Sequence, residues 1–343
     1  MKSSISNLSS WKQELGTAIR TYKDLAEYLN IPISEHPQLS EVSNVMPLLV
    51  PLSYASRIEK NNTDDPLLLQ VLPQINEGNI VNNFIDDPLC ENQQIPIKGL
   101  IHKYKSRVLL VCNSVCAIHC RYCFRKHFDY NDNRVSKKEW EERFNYIKAK
   151  SYINEVILSG GDPLLLNDSY LEFFMDQLSC MQHIRRVRIH TRIPIVLPSR
   201  ITNSLIKILK STRLRIIIVI HSNHPNELSQ DVSDALEKLL DCSLLLNQSV
   251  LLHKINDDVD ILTKLSEKLF DIGVLPYYLH TLDKVKGCNH FHISDTKAIN
   301  LYKELQSKLP GFLVPKLVKE VPFRSYKVPL SEFLLGNEEV NIT

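Results

Sequence analysis

Short apolar runs alternate with amphipathic stretches along most of the chain after residue 107. The amphipathic stretches carry the apolar spacing of helices and include 137–150, 170–181 and 231–240. Continuous apolar runs that alternate with helices are typical of buried parallel strands in right-handed βαβ units. The pattern therefore predicts an α/β fold, either a partial barrel or an open sheet, because six runs are too few for an eight-stranded barrel. The six runs are 108–112, 155–158, 186–190, 215–220, 248–253 and 274–280.

The two ends of the chain have a different pattern. Residues 11–29 carry helical spacing, whereas 30–96 are rich in Pro, Asn and Asp, which predicts short helices and loops. After the sixth run, a helix is predicted over 295–309, and a last apolar run covers 311–318. We therefore expect three parts: an N-terminal helical and loop cap (1–96), the α/β unit (97–293) and a short C-terminal segment (294–343).

Charge and composition exclude several classes of protein. The 343 residues include 41 Lys and Arg against 39 Asp and Glu, a net charge of +2. This balance argues against a nucleic-acid partner or a polybasic membrane anchor. No run approaches the ~18 apolar residues of a membrane span, and the polar N-terminus has no signal-peptide core. Eight cysteines without an export signal do not indicate a disulfide framework, so the sequence predicts a cytoplasmic protein.

The sequence Cys116-Ala-Ile-His-Cys120-Arg-Tyr-Cys123 directly follows the first predicted strand. Three cysteines at this spacing can turn their sulfurs toward one point, and thiolates are natural ligands of iron–sulfur clusters and of zinc. On a four-iron cluster, three cysteines would leave one iron open for a ligand. A zinc site stays an alternative, with His119 or His127 as a further ligand. We expect the other cysteines to be packing residues: Cys90, Cys112, Cys180, Cys242 and Cys288.

Glycine and polar residues lie at the ends of other predicted strands. Gly160, Gly161 and Asp162 close the second run, where a glycine pair lets the backbone approach a ligand and an aspartate can accept from an ammonium. By themselves these residues are also typical of a turn. His221 ends the fourth run and Gln248 opens the fifth, and a histidine taken alone favours a structural role.

The cysteine motif resembles that of the radical S-adenosylmethionine (SAM) enzymes, CxxxCxxC with an aromatic residue before the last cysteine. The resemblance implies a [4Fe-4S] cluster on the three cysteines, SAM bound to the open iron and a partial (β/α)6 barrel. In that superfamily, reductive cleavage of SAM produces a 5′-deoxyadenosyl radical. The residues that the resemblance places in contact with SAM are Tyr122, Gly160, Gly161, Asp162, His221 and Gln248.

Motifs outside the cysteine loop are similar to those of the lysine 2,3-aminomutase family. The resemblance implies a second cofactor, pyridoxal 5′-phosphate (PLP), carried by Lys327, with Lys103, Tyr104 and Arg107 at its phosphate and ring. Such a cofactor needs a lysine, cations for its phosphate and a face to stack on. The motifs occur in the family's order at 103–110, 123–126, 158–166, 221–225, 247–252 and 276–283.

The resemblance also implies that L-lysine is the substrate and that it is converted to (R)-β-lysine. Arg125, shortly after the last cysteine of the motif, can bind the substrate carboxylate through its bidentate fork. Asp283 and Glu320 match the two acids that bind the ε-ammonium of lysine in the family. Two acids that converge on one cation would select for a long basic side chain.

Several features resemble the branch of the family that makes (R)-β-lysine for elongation factor P, more than the lysine-degrading enzymes. Glu320 replaces the Asp of the latter, Pro-Phe-Arg-Ser-Tyr replaces their Gly-rich approach to the PLP lysine, and the chain ends shortly after Lys327. The partners implied are a flavodoxin- or ferredoxin-type electron donor and an elongation factor P lysine ligase. A homo-oligomer is left open.

Two alternatives remain at the level of the sequence. A catabolic lysine or glutamate 2,3-aminomutase would share the chemistry, although a glutamate enzyme should not have acids at Asp283 and Glu320. Outside enzymes, a zinc-stabilised scaffold or binding protein built on a βα sheet would use the same cysteines for structure alone.

Overall fold

The structure, a computed structural model, describes residues 10–32, 46–133, 135–136 and 138–330. Within these ranges one sheet contains β1 (Leu100–Tyr104), β2 (Arg107–Asn113), β3 (Glu155–Gly160), β4 (Arg186–Thr191), β5 (Arg215–Ile220), β6 (Leu244–Val250), β7 (Leu275–His280), β8 (Lys316–Lys319) and β9 (Val328–Pro329). The strands lie side by side in chain order. Strands β2 to β8 run parallel to one another. At the two edges of the sheet, β1 pairs antiparallel with β2, and β9 pairs antiparallel with β8.

The α/β fold expected from the sequence is confirmed, and the six predicted runs correspond to β2 through β7. The last apolar run, 311–318, contributes β8, which adds a seventh parallel strand. The edge strands β1 and β9 are not predicted by the apolar pattern, because they are short and partly polar. The predicted bounds 248–253 are wrong, since β6 begins at Leu244 and the polar pair Asn247 and Gln248 interrupts its apolar pattern.

Most of the helices connect consecutive strands and cover the outer face of the sheet. Thr202 begins α8 by accepting from the backbone N–H of Leu205, and Asp258 begins α10 in the same way. No helix in the described ranges is long and apolar enough to cross a membrane. The helices are α1 (Ser10–Gly16), α2 (Tyr22–Leu29), α3 (Leu52–Ala55), α4 (Pro66–Leu69), α5 (Trp140–Lys148), α6 (Asp168–Ser179), α7 (Ile193–Val196), α8 (Asn203–Ser211), α9 (Gln230–Leu240), α10 (Val259–Asp271) and α11 (Asp295–Lys308).

The helices predicted between the strands are found close to their expected positions. The stretches 137–150, 170–181, 231–240 and 295–309 correspond to α5, α6, α9 and α11, and residue 137 lies outside the described residues. The stretch 11–29 forms two helices and not one. The second, α2, begins anew where the Thr21 hydroxyl accepts from the backbone N–H of Asp24.

The N-terminal region shares its hydrophobic core with the sheet. Trp11, Leu25 and Leu68 are buried in the same cluster as Leu110 of β2 and Val156 of β3. This packing holds the N-terminal region against the cysteine loop that follows β2. The division at residues 96 and 293 stays a prediction. Parts of the outer segments, 1–9, 33–45 and 331–343, lie outside the described residues.

Candidate active site

The cysteine motif and several other predicted site residues lie at the carboxyl ends of consecutive parallel strands. The cysteine loop follows β2, Gly161 follows β3, Arg192 follows β4 and His221 follows β5. The carboxyl ends of parallel strands meet at one edge of the sheet, which is where α/β proteins bind ligands. Residues that are more than one hundred positions apart in the sequence are thereby brought to one edge.

The three cysteines of the motif face one another at this edge. Burial raises the pKa of Cys123 to about 11, and the neighbouring charge of Cys120 adds to the shift. Burial also raises the pKa of Cys116 well above its ordinary value, with further contributions from Cys123 and Cys120. All eight cysteines of the chain are free of disulfides. The geometry thus gathers three thiols on one short loop, as an iron–sulfur cluster requires.

The two histidines of the zinc alternative each have one ring nitrogen beside a backbone carbonyl. The Nδ1 of His119 lies 2.7 Å from the carbonyl oxygen of Pro47, and the Nε2 of His127 lies 3.2 Å from that of Lys286. Across the described ranges, no three His, Cys, Asp or Glu side chains are arranged to hold a single metal ion. A structural zinc site needs four closed ligands.

Gly160 and Gly161 allow the end of β3 to pass close to the cysteine loop. Gly160 has φ 122°, and a Cβ there would lie 2.4 Å from the carbonyl oxygen of Asn113. A Cβ on Gly161 would lie 2.3 Å from the carbonyl oxygen of Val115. Only glycine fits at both positions. The close approach therefore explains the glycine pair by packing, and the predicted contact with SAM stays a prediction.

Asp162 connects the ends of β3 and β4. Its carboxylate accepts from the Thr191 hydroxyl and from the backbone N–H of Arg192, both at 2.7 Å, and from the N–H of Leu164 at 3.0 Å. Burial raises its pKa to about 6, although these hydrogen bonds oppose the shift. The carboxylate is thus engaged by the protein, and its predicted contact with the SAM ammonium stays a prediction.

Three histidines with lowered pKa values, His190, His221 and His280, lie at the carboxyl ends of β4, β5 and β7. His221 lies 2.9 Å from Gln248, and its ring is 6.0 Å from that of His190. Burial lowers the pKa of His221 to about 3, and Arg192 and Arg125 add to the shift. His190 and His280 were not found from the sequence, because an inward-facing polar residue on a strand has no local signature. Their Nε2 atoms are buried without a hydrogen-bond partner among the described residues.

The predicted PLP residues meet where the two edges of the sheet approach each other. Glu320, just after β8, accepts from Lys103 and Lys327, and from the Tyr104 hydroxyl at 2.7 Å. Lys103 and Tyr104 belong to β1, while Lys327 directly precedes β9. The guanidinium of Arg107 lies 3.9 Å from the centre of the Tyr104 ring. One carboxylate therefore joins both edges and binds three of the four predicted residues, while Arg107 lies against the ring of Tyr104.

The neighbouring lysines keep the Glu320 carboxylate ionised. Burial opposes the charge of Glu320, but Lys327 and Lys103 more than offset that effect and hold its pKa well below the ordinary value. Tyr122, the aromatic residue of the cysteine motif, lies elsewhere, edge-on to Phe291 at 6.2 Å between ring centres. A lysine amine, further cations and an aromatic face are the groups that PLP requires, so the residues around Glu320 fit this cofactor.

Asp283 lies close enough to Glu320 to respond to its charge. Burial raises the pKa of Asp283 to about 7; Glu320 adds to the shift, while Lys327 and Lys103 oppose it. The Asp283 carboxylate has no hydrogen-bond partner in the part of the chain that the structure describes. The site thus combines a paired carboxylate with an unpaired one, which fits the binding of an additional cation.

Arg125 is held by a residue that the sequence did not indicate. Glu91, from the N-terminal region, accepts from its Nε at 2.8 Å and from its Nη2 at 2.7 Å. The Nη1 atom donates to the hydroxyl of Ser159 at 3.0 Å. Glu91 therefore occupies the edge formed by Nε and Nη2, and Ser159 binds the remaining Nη1. The charge of Arg125 also contributes to the lowered pKa values of His190 and His221.

Comparison with known proteins agrees with the geometry. Residues 110–259 match the Radical SAM superfamily. An L-lysine 2,3-aminomutase from Buchnera aphidicola subsp. Baizongia pistaciae is 47% identical over 93% of this chain and 94% of its own length. L-lysine 2,3-aminomutases from Haemophilus influenzae and Escherichia coli are 45% and 43% identical, over 91% and 93% of this chain and 93% and 94% of their own lengths.

The fold and the cysteine loop thus define a radical SAM enzyme. With identities of this size over nearly the whole chain, the protein belongs to the L-lysine 2,3-aminomutase family of radical SAM isomerases. Membership in this superfamily implies a [4Fe-4S] cluster and SAM.

Proposed function

We propose that this chain is a PLP-dependent aminomutase that converts L-α-lysine to (R)-β-lysine. The observation that carries the proposal is the cluster of Lys103, Tyr104 and Lys327 around Glu320, at the same sheet as the cysteine loop. These contacts gather two lysine amines and an aromatic ring from the two edges of the sheet at one place, and such groups are what PLP requires. The relatives named L-lysine 2,3-aminomutase support the same reaction.

In this proposal, Cys116, Cys120 and Cys123 hold the cluster. The residues that contact SAM are Tyr122, Gly160, Gly161, Asp162, His221 and Gln248. Lys327 carries PLP, with Lys103 and Arg107 at its phosphate. When bound, the cluster and SAM supply a carbon radical that removes a hydrogen atom, and PLP supplies a π system through which an amino group can migrate. The buried histidines of the interior stay neutral, so they exclude water without adding charge beside the reacting centre.

Substrate recognition follows from the charges of the site. Arg125 is suited to the substrate carboxylate, since Arg forks bind carboxylates in a bidentate manner, and the contact of its Nη1 with the uncharged Ser159 hydroxyl is one that a carboxylate could replace. The paired Glu320 and the unpaired Asp283 are suited to the ε-ammonium at the other end of lysine. A glutamate substrate would bring a further carboxylate beside these two acids, so this alternative is disfavoured by like-charge repulsion.

We further propose that the product serves the modification of elongation factor P in the cytoplasm. The support is the resemblance to that branch of the family in Glu320 and in the segment from Pro322 to Tyr326 before Lys327. A lysine ligase would then consume the β-lysine, and a flavodoxin- or ferredoxin-type protein would deliver the electron. The runner-up is a catabolic lysine aminomutase, which would release β-lysine for degradation.

Anaerobic reconstitution tests the reaction. The protein is loaded with iron, sulfide and PLP, then supplied with SAM, dithionite and L-lysine, and the products are separated by chiral chromatography. We expect (R)-β-lysine that depends on both SAM and PLP. Cleavage of SAM without β-lysine would show that the substrate assignment is wrong. A sample with a full cluster that yields neither cleavage nor product would refute the enzymatic proposal itself.

A separate experiment distinguishes the two biological settings. Product formed with L-lysine is incubated with elongation factor P and its lysine ligase, and the mass of elongation factor P is measured. Transfer of the enzymatic product at a higher rate than L-lysine supports the modification role. Rejection of the product by the ligase would favour the catabolic alternative.

A further inference from the structure

Arg192, the residue after β4, contacts a sulfur of the cysteine motif. Its Nη1 donates to the Sγ of Cys120 at 2.7 Å. We propose that Arg192 acts through Cys120 as a positioning residue that raises the reduction potential of the cluster. The inference rests on the proposed cluster site at Cys116, Cys120 and Cys123. It assigns a role to a residue that no motif of the sequence indicates.

The guanidinium is fixed in place by two side chains from different parts of the fold. Its Nη2 donates to the Oε1 of Gln70 at 2.7 Å and to the Oε2 of Glu227 at 2.9 Å. The backbone N–H of Arg192 donates to Asp162, so the main chain is held as well. With both ends anchored, Nη1 is the part of the fork that remains for the sulfur.

Aromatic rings hold the guanidinium from its faces. Its carbon lies 5.5 Å from the centre of the Tyr54 ring and 5.6 Å from that of Tyr122. The Nε of Arg192 is buried without a partner in the described part of the chain. Leaving a buried N–H unpaired costs free energy. The Nε of Arg192 is thus left unpaired, whereas Nη1 donates to Cys120 and Nη2 donates to Gln70 and Glu227.

The sign of the effect follows from the charge of the reduced cluster. One-electron reduction adds negative charge to the iron and to its thiolate ligands. A cation and an N–H donor at a ligating sulfur stabilise that charge more than they stabilise the oxidised form, and hydrogen bonds to sulfur are a recognised determinant of cluster potential. Glu227 opposes the effect only in part, because its other oxygen accepts from the backbone N–H of Asn223 and of His224.

Arg57 offers a matched control. Its guanidinium is also buried beside the Tyr54 ring, at 5.4 Å, and it also contacts Glu227, through the backbone carbonyl. Its other donors bind the carbonyl oxygens of Ile195 and Ser53. Unlike Arg192, it makes no contact with a cysteine of the motif. A general effect of a buried arginine would appear in both residues, whereas a contact with the cluster ligand would appear in Arg192 alone.

The test is an EPR-monitored titration of the reconstituted protein with dithionite, comparing Arg192→Gln and Arg192→Lys with Arg57→Gln and Arg57→Lys. Iron and sulfide content is measured first, so that failure to form a cluster is separated from a changed potential. We expect Arg192→Gln to lower the equilibrium constant for reduction about tenfold, which is about 59 mV for one electron, and Arg192→Lys to lower it less. The Arg57 variants should leave the potential unchanged. Equal shifts in both pairs, or no shift in fully loaded Arg192 variants, would overturn the proposal.

A second measurement needs no variant. The wild-type protein is labelled with ¹⁵N-arginine, and the reduced cluster is examined by pulsed EPR. We expect a ¹⁵N coupling from a guanidinium that is hydrogen-bonded to a ligand sulfur. Its absence, in a sample whose cluster is complete, would refute the contact even if the Arg192 variants fail to load iron. A wild-type protein that binds no cluster at all would refute the proposed function instead.

Discussion

Two buried glutamates organise the two sides of the site in different ways. Glu227, fully buried, accepts from the backbone N–H groups of Asn223 and His224 at 2.8 and 3.0 Å, from the Gln70 amide and from Arg192. Glu320 is also buried, but its partners are side chains only: Lys103, Tyr104 and Lys327. The Glu227 carboxylate is therefore held by backbone N–H groups, while the Glu320 carboxylate is bound by side chains, two of which are flexible lysines.

The different partners of the two glutamates indicate which side of the site keeps its geometry, called the scaffold side, and which side can exchange partners, called the exchangeable side. Backbone N–H groups and a planar guanidinium keep a carboxylate in one geometry. An ammonium on a four-carbon stem can leave its partner, and the side chain of Lys327 is 24% exposed, against 6% for Arg192. We infer that the Glu227 side stays fixed beside the cysteine loop, whereas the Glu320 side rearranges when cofactor and substrate bind.

The largest effect on stability should come from Glu227. Glu227→Ala leaves Arg192 buried without its counter-ion, and breaking a buried pair in this way costs about 3–5 kcal/mol. The measurement is urea unfolding of the cofactor-free protein. Glu142→Ala is the control, because Glu142 is 67% exposed and its partner Arg143 keeps hydrogen bonds to the carbonyl oxygens of Lys98 and Glu139. Equal costs for the two variants would contradict the scaffold role.

The largest effect on function should come from the exchangeable side. Lys327→Ala should lose most of its bound PLP and lower kcat/KM at least about 100-fold, which corresponds to ~2.7 kcal/mol. Stability should change little in comparison with Glu227→Ala. PLP is released from the desalted protein and quantified, with the exposed Lys105→Ala as control. Full PLP occupancy in Lys327→Ala would show that another lysine carries the cofactor.

Glu91, a carboxylate from the N-terminal region, holds Arg125, the arginine that we propose to bind the substrate carboxylate. Glu91→Gln keeps the shape but weakens the charged contacts to Arg125. We expect KM for lysine to rise about tenfold, a loss of ~1.4 kcal/mol, with a smaller change in kcat. Steady-state kinetics at full PLP loading measure both constants. A fall in kcat at unchanged KM would contradict an orienting role.

Asp283 gives the exchangeable side a pH dependence. Burial raises its pKa to about 7, so below that pH the carboxyl is protonated in the free protein and must lose its proton to pair with the substrate ammonium. The affinity for L-lysine should therefore increase up to about tenfold per pH unit as the pH rises toward 7, then level off. Asp283→Asn should remove this component of the profile. An unchanged profile in Asp283→Asn would assign the titration to another group.

The smallest effect concerns the segment before Lys327. Phe323 has φ 61° and is 64% exposed, so a bulky residue adopts a left-handed backbone with little packing in return. Phe323→Gly should stabilise the protein by about 0.5–1 kcal/mol, the balance between relief of strain and the greater entropy of unfolded glycine. Phe323→Ala is the control, because it removes the ring but keeps the strain. Equal unfolding curves for the Gly and Ala variants would contradict strain at this position.

Much of the fold was predictable, because parallel strands and their covering helices are recorded in local apolar patterns. The runs at β2 to β5 and β7 and the helices α6, α9 and α11 lie close to their expected positions. Strand β6 was misplaced because two adjacent polar residues, Asn247 and Gln248, interrupt its apolar pattern in mid-strand. The short edge strands β1 and β9 were missed, since their pairing depends on neighbours and not on their own residues.

The sequence by itself determined the cysteine loop, the alternation of strands and helices along the chain and the glycine pair at the end of β3. These features act over a few residues, so spacing along the chain is sufficient to specify them. Only the tertiary structure decided that Glu91 reaches Arg125, that Arg192 reaches Cys120, and that Lys103 and Lys327 share Glu320. Those contacts join side chains from different strands and from the N-terminal region. They depend on how the sheet curves and brings its edges together, a property of the packed whole that no local pattern records.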